Sequence, residues 1–191
     1  MRSRTSITDR KMRIQDNKCV NRKTGIGERQ MRQKNREITD LEEIIEVMRG
    51  CDVCRLGLND EDGFPYVVPL NFGMEITDEK IRLYFHGAVE GHKLDLIRRD
   101  DRAAFEMDRS HELQYVKERG YCTMNYESVM GKGRIRILSD DEKMHALKQM
   151  MAHYHGDREA PFNPAALPRT CVFALDVEQI TGKRKKAKKF D

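Results

Sequence analysis

Three strand-like segments follow one another with only tight turns between them, and this succession limits the fold more than any other feature of the sequence. They occupy residues 53–58, 65–74 and 81–86. The connection at 59–63 combines Asn, Asp and Gly, which favour turns, and residues 77–80 turn the chain again. Strands joined so closely pair antiparallel, because a parallel neighbour needs a crossover of a dozen or more residues. The sequence therefore predicts an antiparallel meander, with Pro69 indicating an edge strand or a bulge.

Helical patterns flank these strands and interrupt them. Apolar residues recur at helical spacing over 41–49, a short helix is predicted over 92–99, and a third helix is predicted with Asp140 or Asp141 as its N-cap and an end near 153. Further strands are predicted at 102–107, 127–138 and 171–180. The second of these contains glycines at 131 and 133, which indicate a bend or a close approach of two backbones. The order of elements predicts a mainly β fold, a small antiparallel barrel with peripheral helices.

We expect neither a membrane protein nor a disulfide-bonded one. No apolar run approaches the roughly 20 residues that cross a bilayer, and the N-terminus lacks the apolar segment of a secretory signal, so we expect a cytoplasmic protein. The five cysteines are odd in number and scattered, and we expect them to be structural. A zinc site would need a second pair beside the Cys51–Cys54 C-x-x-C, and His153 and His155 lack a neighbouring ligand cluster, so we predict no metal site.

Positive charge is concentrated at the two ends of the chain. Residues 1–36 carry 12 Lys and Arg against 3 Asp and Glu, and residues 183–191 carry 6 against 1, whereas residues 37–182 are net acidic. We therefore expect a disordered basic arm over 1–36, one folded domain over 37–182 and a basic tail over 183–191. The ends would support at most weak, salt-sensitive binding to nucleic acid. Met31 begins a run typical of an N-terminus, and a natural start at Met31 is a hypothesis.

The stretch 83–97 contains the most informative chemical pattern. A strand runs into the small residue Gly87, and a helix then opens with Lys93 in its first turn. Backbone N–H groups at such a helix start suit a phosphate, and the lysine adds a positive charge. His86, at the end of the strand, is placed to donate to that phosphate or to reach a substrate. A plain strand–turn–helix with a solvated lysine is the alternative interpretation.

Two other stretches contain candidate ligand contacts. A strand interrupted by Pro69 leaves backbone groups unpaired, which a flat ring with amide-like edges can use, and Asn71 can donate to or accept from that ring. Taken alone, this segment is more typical of an edge strand of the core. Tyr126 and Ser128 lie two apart and share a face of their predicted strand. Tyrosine can cover a ring and serine can bond a phosphate, although both are also ordinary strand residues.

These segments occur in the order and spacing of a known family. Over about residues 31–184 the chain resembles the nitroimidazole-resistance type of flavin-nucleotide-binding proteins, which are related to pyridoxamine 5'-phosphate oxidase. The runs that resemble the family are REITDLEEIIEVM at 36–48, CDVCRLGLNDEDGFPYVVPLNFGMEITDEKIRLYFHGA at 51–88, EGHKLDLIRRD at 90–100, YESVMGKGRI at 126–135 and CVFALDVEQITGKR at 171–184.

The resemblance implies an FMN-binding split β-barrel, a six-stranded antiparallel Greek-key-like barrel with flanking helices that works as a homodimer. FMN would be the cofactor, with FAD or haem as alternatives, and His86 would be the catalytic residue. The expected cofactor contacts are Pro69, Leu70, Asn71, Phe85, His86, Gly87, His92, Lys93, Tyr126 and Ser128. The chain departs from the family pattern at His92, where Lys or Arg is common, and at Met74, where an aromatic residue is frequent.

The same resemblance implies a flavin-dependent oxidoreductase. It would pass electrons from NAD(P)H to a small acceptor such as a nitroimidazole or a nitroaromatic compound. Two alternatives remain open. One is a non-catalytic protein that binds flavin, or binds haem through His86, on the same scaffold, and the other is an activity like that of pyridoxamine-phosphate oxidase.

Overall fold

The computed structural model of this protein describes residues 32–156 and 162–186. Most of the predicted basic arm over 1–36, with Met31, lies outside the described residues. The end of the predicted tail over 183–191 lies outside them as well. The division of the chain into an arm, a domain and a tail therefore stays a prediction.

Eight antiparallel strands form one sheet. They are β1 (Glu37–Ile38), β2 (Cys54–Asn59), β3 (Pro65–Leu70), β4 (Gly73–Thr77), β5 (Lys80–Ala88), β6 (Arg102–Val116), β7 (Tyr121–Ile137) and β8 (Thr170–Lys185). Neighbours follow the order β3-β2-β6-β7-β8-β5-β4, and β1 pairs with the second half of β8. The fold is the expected split barrel, with its split between β3 and β4. These two strands are consecutive in the chain but form opposite edges of the sheet.

The split explains one wrong prediction. Residues 65–74 were expected to form one strand, but the chain leaves β3 after Leu70 and enters β4 at Gly73. Asn71 and Phe72 carry it from one edge of the sheet to the other, and neither residue pairs with a neighbouring strand. This break and the short strand β1 give eight strands where six were expected.

Three α-helices cover the sheet: α1 (Leu41–Arg49), α2 (His92–Arg99) and α3 (Asp140–His155). Short 3-10 turns occupy Lys34–Arg36, Lys117–Arg119 and Leu167–Arg169. The bounds of α1 and α2 agree with the prediction. The cap of α3 does not, because Ser139 is its N-cap and not Asp140 or Asp141. The Glu142 carboxylate accepts from the backbone N–H of Ser139 at 3.1 Å, as in a capping box, and also from the Ser139 hydroxyl at 2.8 Å.

Three strands are longer than predicted. β6 and β7 continue as a hairpin arm beyond the barrel, where Leu113 and Tyr115 of β6 are exposed. This arm was not predicted, because the expected strands ended at 107 and began again at 127. β8 continues past 180 to Lys185 because β7 and β1 both pair with its second half.

The expected close approach of backbones at the glycines of β7 is confirmed. The register between β7 and β8 shifts between Lys132 and Gly133. A Cβ atom at Gly133 would overlap the carbonyl oxygen of Asp176, and one at Gly131 would lie 2.8 Å from the carbonyl oxygen of Gln179. Side chains at these two positions would push β8 away from β7.

The core has two parts. The larger one fills the barrel and includes Leu56, Leu83 and Phe105. The smaller one lies under α3, where Tyr84 of β5 packs against Leu147 and other apolar residues. Three free cysteines, Cys51, Cys54 and Cys171, are buried among these residues. Burial raises the pKa of the Cys51 thiol to about 11, so this thiol stays protonated and unreactive at neutral pH.

The described residues contain neither a membrane-spanning helix nor a metal-binding cluster. None of the helices that the structure describes is long and apolar enough to cross a membrane. Within 32–156 and 162–186, no three His, Cys, Asp or Glu side chains are grouped closely enough to hold a metal ion.

Candidate functional site

A pocket of about 370 Å³ lies between α3, the segment before β8 and the end of β5. Leu147 and Met150 of α3 line one side, and Leu167 lines the other. Two predicted site residues, Asn71 and His86, also line it. None of its described lining residues is Asp, Glu, Lys or Arg. The pocket therefore suits an uncharged, largely apolar group that forms a few hydrogen bonds.

His86 presents an uncharged imidazole to this pocket. It lies near the end of β5, where it pairs with Val172 of β8, and its side chain is exposed. Reduced hydration and the positive charge of Lys93 lower the pKa of His86 below its ordinary value. The ring is therefore neutral at pH 7, with one nitrogen that donates and one that accepts. No described side chain or backbone group forms a hydrogen bond with it.

Lys93 and Gly87 meet where β5 gives way to α2. The Lys93 Nζ atom lies 2.9 Å from the point that a Cβ atom of Gly87 would occupy, and 6.0 Å from the centre of the Phe173 ring. Gly91 is the N-cap of α2 with φ at 130°, a conformation that favours glycine, and no side chain caps the helix. The first N–H groups of α2 stay available beside a lysine. This arrangement fits a phosphate group, and a side chain at Gly87 would remove the space that Lys93 uses.

Asn71 is held at the crossing between the two sheet edges. Its Nδ2 atom donates to the carbonyl oxygen of Asp52 at 3.3 Å, which leaves its own carbonyl oxygen to accept. The hydroxyl of Tyr154, from α3, donates to the same Asp52 oxygen at 2.7 Å and accepts from the N–H of Phe72 at 3.0 Å. These bonds fasten the end of α3 to the crossing. Pro69 and Leu70 precede it on the edge strand β3.

Two predicted contacts are engaged elsewhere. The His92 Nε2 atom lies 2.7 Å from a carboxylate oxygen of Asp60, and its ring packs edge-on against Tyr66. The structure therefore directs this side chain towards the β2–β3 turn and not towards Lys93. Phe85 is fully buried and stacks on Phe173 with 5.6 Å between ring centres. Only its backbone is left to contact a ligand.

Tyr126 and Ser128 lie in a different part of the sheet. Ser128 of β7 pairs with Lys183 of β8, whereas His86 pairs with Val172 of the same strand. Eleven residues of β8 separate these two partners, which is roughly 35 Å of extended strand. Within one protomer, the structure does not bring Tyr126 and Ser128 to His86.

The contribution of α3 to the pocket was not predicted from the sequence. Leu147, Met150 and Tyr154 line the pocket, together with Phe162 from the segment before β8. Leu147 and Met150 are three apart on the helix, a spacing that marks a shared face. That spacing predicts burial, but it does not show what the buried face covers.

Comparison with known proteins extends these observations. The sequence profile of the pyridoxamine 5'-phosphate oxidase family matches residues 40–184. The chain is 33% identical to a candidate 5-nitroimidazole antibiotic resistance protein from Bacteroides thetaiotaomicron; the match covers 78% of this chain and 86% of that one, with a TM-score of 0.67. No curated protein sequence matches the chain.

Two further solved structures are similar. An FAD-binding protein from Mesorhizobium loti is 26% identical over 79% of this chain and 98% of that one, with a TM-score of 0.54. A protein from Mycobacterium smegmatis that binds FAD and haem is 19% identical over 82% of this chain and 76% of that one, with a TM-score of 0.69. The second similarity shows a shared fold.

Proposed function

The chain belongs to the pyridoxamine 5'-phosphate oxidase family, and on this premise we propose that it binds a flavin nucleotide and passes electrons from NAD(P)H to a small acceptor such as a nitroimidazole or a nitroaromatic compound. One observation carries the proposal: neutral His86, Gly87 and Lys93 lie together beside an uncharged pocket. The names of two similar proteins support it, since one refers to 5-nitroimidazole resistance and another to FAD binding.

Lys93 would hold the phosphate end of the flavin. Its ammonium group and the free N–H groups at the start of α2 are both donors at the β5–α2 junction. Contacts between charged donors and phosphate oxygens are short and strong. Gly87 contributes by having no side chain where Lys93 lies. His92 contributes its backbone here, because its side chain is bonded to Asp60.

The edge strand β3 would align the ring system. The edge of β3 that faces the split has no neighbouring strand, so its backbone groups there remain free. Pro69 and Leu70 would lie along one face of the ring. The free carbonyl oxygen of Asn71 would accept a hydrogen bond from it, since the amide nitrogen is already bonded to Asp52.

His86 would orient the acceptor and hold a proton beside it. A bound flavin supplies the hydride and electron transfer, and the protein supplies binding, orientation and polarity. The low pKa of His86 keeps the imidazole neutral, so that one nitrogen donates a hydrogen bond to an oxygen of the acceptor and the other nitrogen can accept a proton. The apolar lining from α3 limits water around the site.

A homodimer in the cytoplasm would complete the site. Tyr126 and Ser128 cannot reach the His86 pocket of their own protomer, so a second copy would have to supply them. The outer face of β7 that carries them also exposes Met130, which is 58% exposed, and Met124, which is 45% exposed. An apolar surface of this kind is typical of an interface.

The test is anaerobic turnover of flavin-loaded protein with NADPH or NADH and a nitroimidazole. We expect the acceptor to reoxidise the reduced flavin and His86→Ala to slow this step while flavin stays bound. Lys148→Ala, which removes an exposed side chain of α3, serves as the control. Anaerobic reoxidation no faster than in the same buffer without acceptor would contradict the proposed reaction.

Haem binding is a second candidate function, and one observation favours it. His86 is neutral, exposed and without a hydrogen-bond partner among the described residues, which are the conditions for an iron ligand. The absorption spectrum of the purified protein separates the two functions. Flavin bands that bleach on adding NAD(P)H support the reductase, whereas a Soret band that His86→Ala abolishes supports haem binding.

A further inference from the structure

A second group of positive side chains lies where β8 ends, far along the sheet from His86. Arg36, Lys183 and Lys185 are all half-buried there; the first two form hydrogen bonds with Tyr126, and Lys185 is the register partner of Tyr126 on β8. The Lys183 Nζ atom lies 5.9 Å from the centre of the Tyr126 ring, and Lys185 donates to the hydroxyl of Thr123. We call Arg36, Lys183 and Lys185 the β8 cation cluster.

The charge of this cluster is not neutralised by the described part of the protein. No described carboxylate forms an ion pair with any of its three members. Arg184, the residue between the two lysines, shows the contrast, since it pairs with Glu127 and with Glu43. Glu37, the register partner of Lys183 on β1, is exposed and does not pair with it. Three half-buried cations without counter-charges favour binding of an anion.

Tyr126 responds to the positive potential of the cluster. Burial raises the pKa of this tyrosine, but hydrogen bonds from Arg36 and Lys183 lower it, and the net change is a decrease. Ser128 lies two residues further along β7 and pairs with Lys183, so a hydroxyl donor faces the same side. The cluster therefore combines cations, a hydroxyl and a half-buried aromatic ring.

We propose that the β8 cation cluster binds the phosphate groups of an adenine dinucleotide, with the Tyr126 ring stacking on the adenine. A phosphate needs charged donors, which the three cations supply. An adenine needs a flat aromatic surface, which the Tyr126 ring supplies. Two dinucleotides carry these groups, FAD and the nicotinamide reductant. This inference rests on the proposed flavin function. The distance along β8 separates the cluster from the His86 pocket of the same chain, so it would serve the flavin pocket of a second copy.

The test compares binding of FMN, FAD, ADP and NADP⁺ to the full chain and to the double variant Lys183→Gln/Lys185→Gln. Lys132→Gln and Lys148→Gln remove exposed lysines outside the cluster and are the matched controls. Loss of two charged contacts should weaken dinucleotide binding at least about tenfold at low salt and leave FMN binding unchanged. Lys183→Arg/Lys185→Arg, which keeps the charges, should restore it. Circular dichroism confirms that each variant is folded.

The outcomes distinguish the two dinucleotides. If FAD is the occupant, the double variant loses the preference of the protein for FAD over FMN. If the nicotinamide reductant is the occupant, the double variant binds NADP⁺ more weakly when the protein is loaded with FMN. A loss of FMN affinity equal to that of FAD, or no loss with any dinucleotide, would overturn the proposal. Failure of the wild type to bind FMN and FAD would contradict the proposed function alone, because ADP reports on the cluster without a flavin.

Discussion

At Gly87, the missing side chain determines where Lys93 can lie. The lysine Nζ atom occupies the space next to the strand that a Cβ atom would take. A lysine held in this way loses less freedom when it binds a phosphate, because its position is set before the ligand arrives. The flavin affinity of the protein should therefore depend on a residue that has no functional group.

Gly87→Ala tests this dependence. The new methyl group displaces Lys93 but meets no backbone atom, so we expect unchanged stability and a flavin affinity that is lower by roughly tenfold. Fluorescence titration of the flavin measures the affinity, and urea unfolding measures the stability. Gly57→Ala is the control, because a Cβ atom there lies 3.7 Å from the nearest neighbour, an ordinary contact. Full affinity in Gly87→Ala would show that Lys93 does not hold the phosphate.

Lys93→Gln should change the titration of His86. Removal of the positive charge takes away one of the two causes of its low pKa, so the pKa of His86 rises towards its ordinary value of 6.5. In the wild type the folded state binds this proton more weakly than the unfolded state, so the stability due to His86 is present above pH 6.5 and lost as the pH falls below it. The variant loses less stability on acidification. NMR titration of the imidazole measures the shift, and Lys148→Gln should not alter it.

The sequence predicted His86, Gly87 and Lys93 together because they are close along the chain. Residues paired over long distances could not be predicted in the same way. The carboxylate that engages His92 belongs to Asp60, which is 32 residues away on the β2–β3 turn. Phe85 was expected at the ligand, but strand alternation places it inside the barrel against Phe173.

At the scale of single elements, α3 connects the core to the candidate site. Its inner face packs on Tyr84 and its last turn reaches the crossing between the two sheet edges. The helix itself was predictable from its acidic first turn and its length. Its role as a wall of the pocket was not, because that role depends on where β4 and β5 lie.

Tyr154→Phe tests the attachment of α3. The hydroxyl satisfies the N–H of Phe72, which belongs to a fully buried residue, and donates to Asp52. Its removal leaves that N–H unpaired, so we expect a loss of about 1–3 kcal/mol in the free energy of unfolding. Urea denaturation monitored by circular dichroism measures the change. Tyr115→Phe, at an exposed tyrosine of the hairpin arm, should alter stability by less than about 0.5 kcal/mol.

The hairpin arm shows a second limit of prediction at this scale. Leu113 pairs with Met124 and Tyr115 with Cys122, so four apolar side chains share one exposed face. In a sequence, such residues look like part of a core. Only the structure shows that the protomer leaves them uncovered, with Leu113 at 64% and Tyr115 at 66% exposure.

At the scale of the whole molecule, the predicted site residues fall into two groups that one protomer keeps apart. The succession of strands along the chain was predictable in outline from turns and alternation, but the meander expected over 53–86 is divided, because β3 and β4 lie at opposite edges of the sheet. The separation of the two groups was not, because it follows from the register of β8 against β5 and β7. A second copy is the simplest way to unite them.

Met130→Asp tests the dimer. We expect the wild type to have twice the chain mass of 22.4 kDa by light scattering, and the variant to be largely monomeric because it places a charge in an apolar contact. Flavin affinity should fall with the dimer, since Tyr126 and Ser128 would leave the site. Lys148→Asp is the control for an added negative charge. A monomeric wild type with full flavin affinity would exclude the shared site.

The split between β3 and β4 has a consequence for solubility. Each of the two strands offers a free row of backbone donors and acceptors, and such rows recruit strands from other molecules into aggregates. A closed barrel would have no such edge but also no gap beside the pocket. β3 carries Pro65 and Pro69 among its six residues, and a proline has no N–H with which to template an incoming strand. The carbonyl oxygens of β3 remain free to accept hydrogen bonds. The two prolines therefore disfavour self-association at this edge without preventing a ligand from binding there.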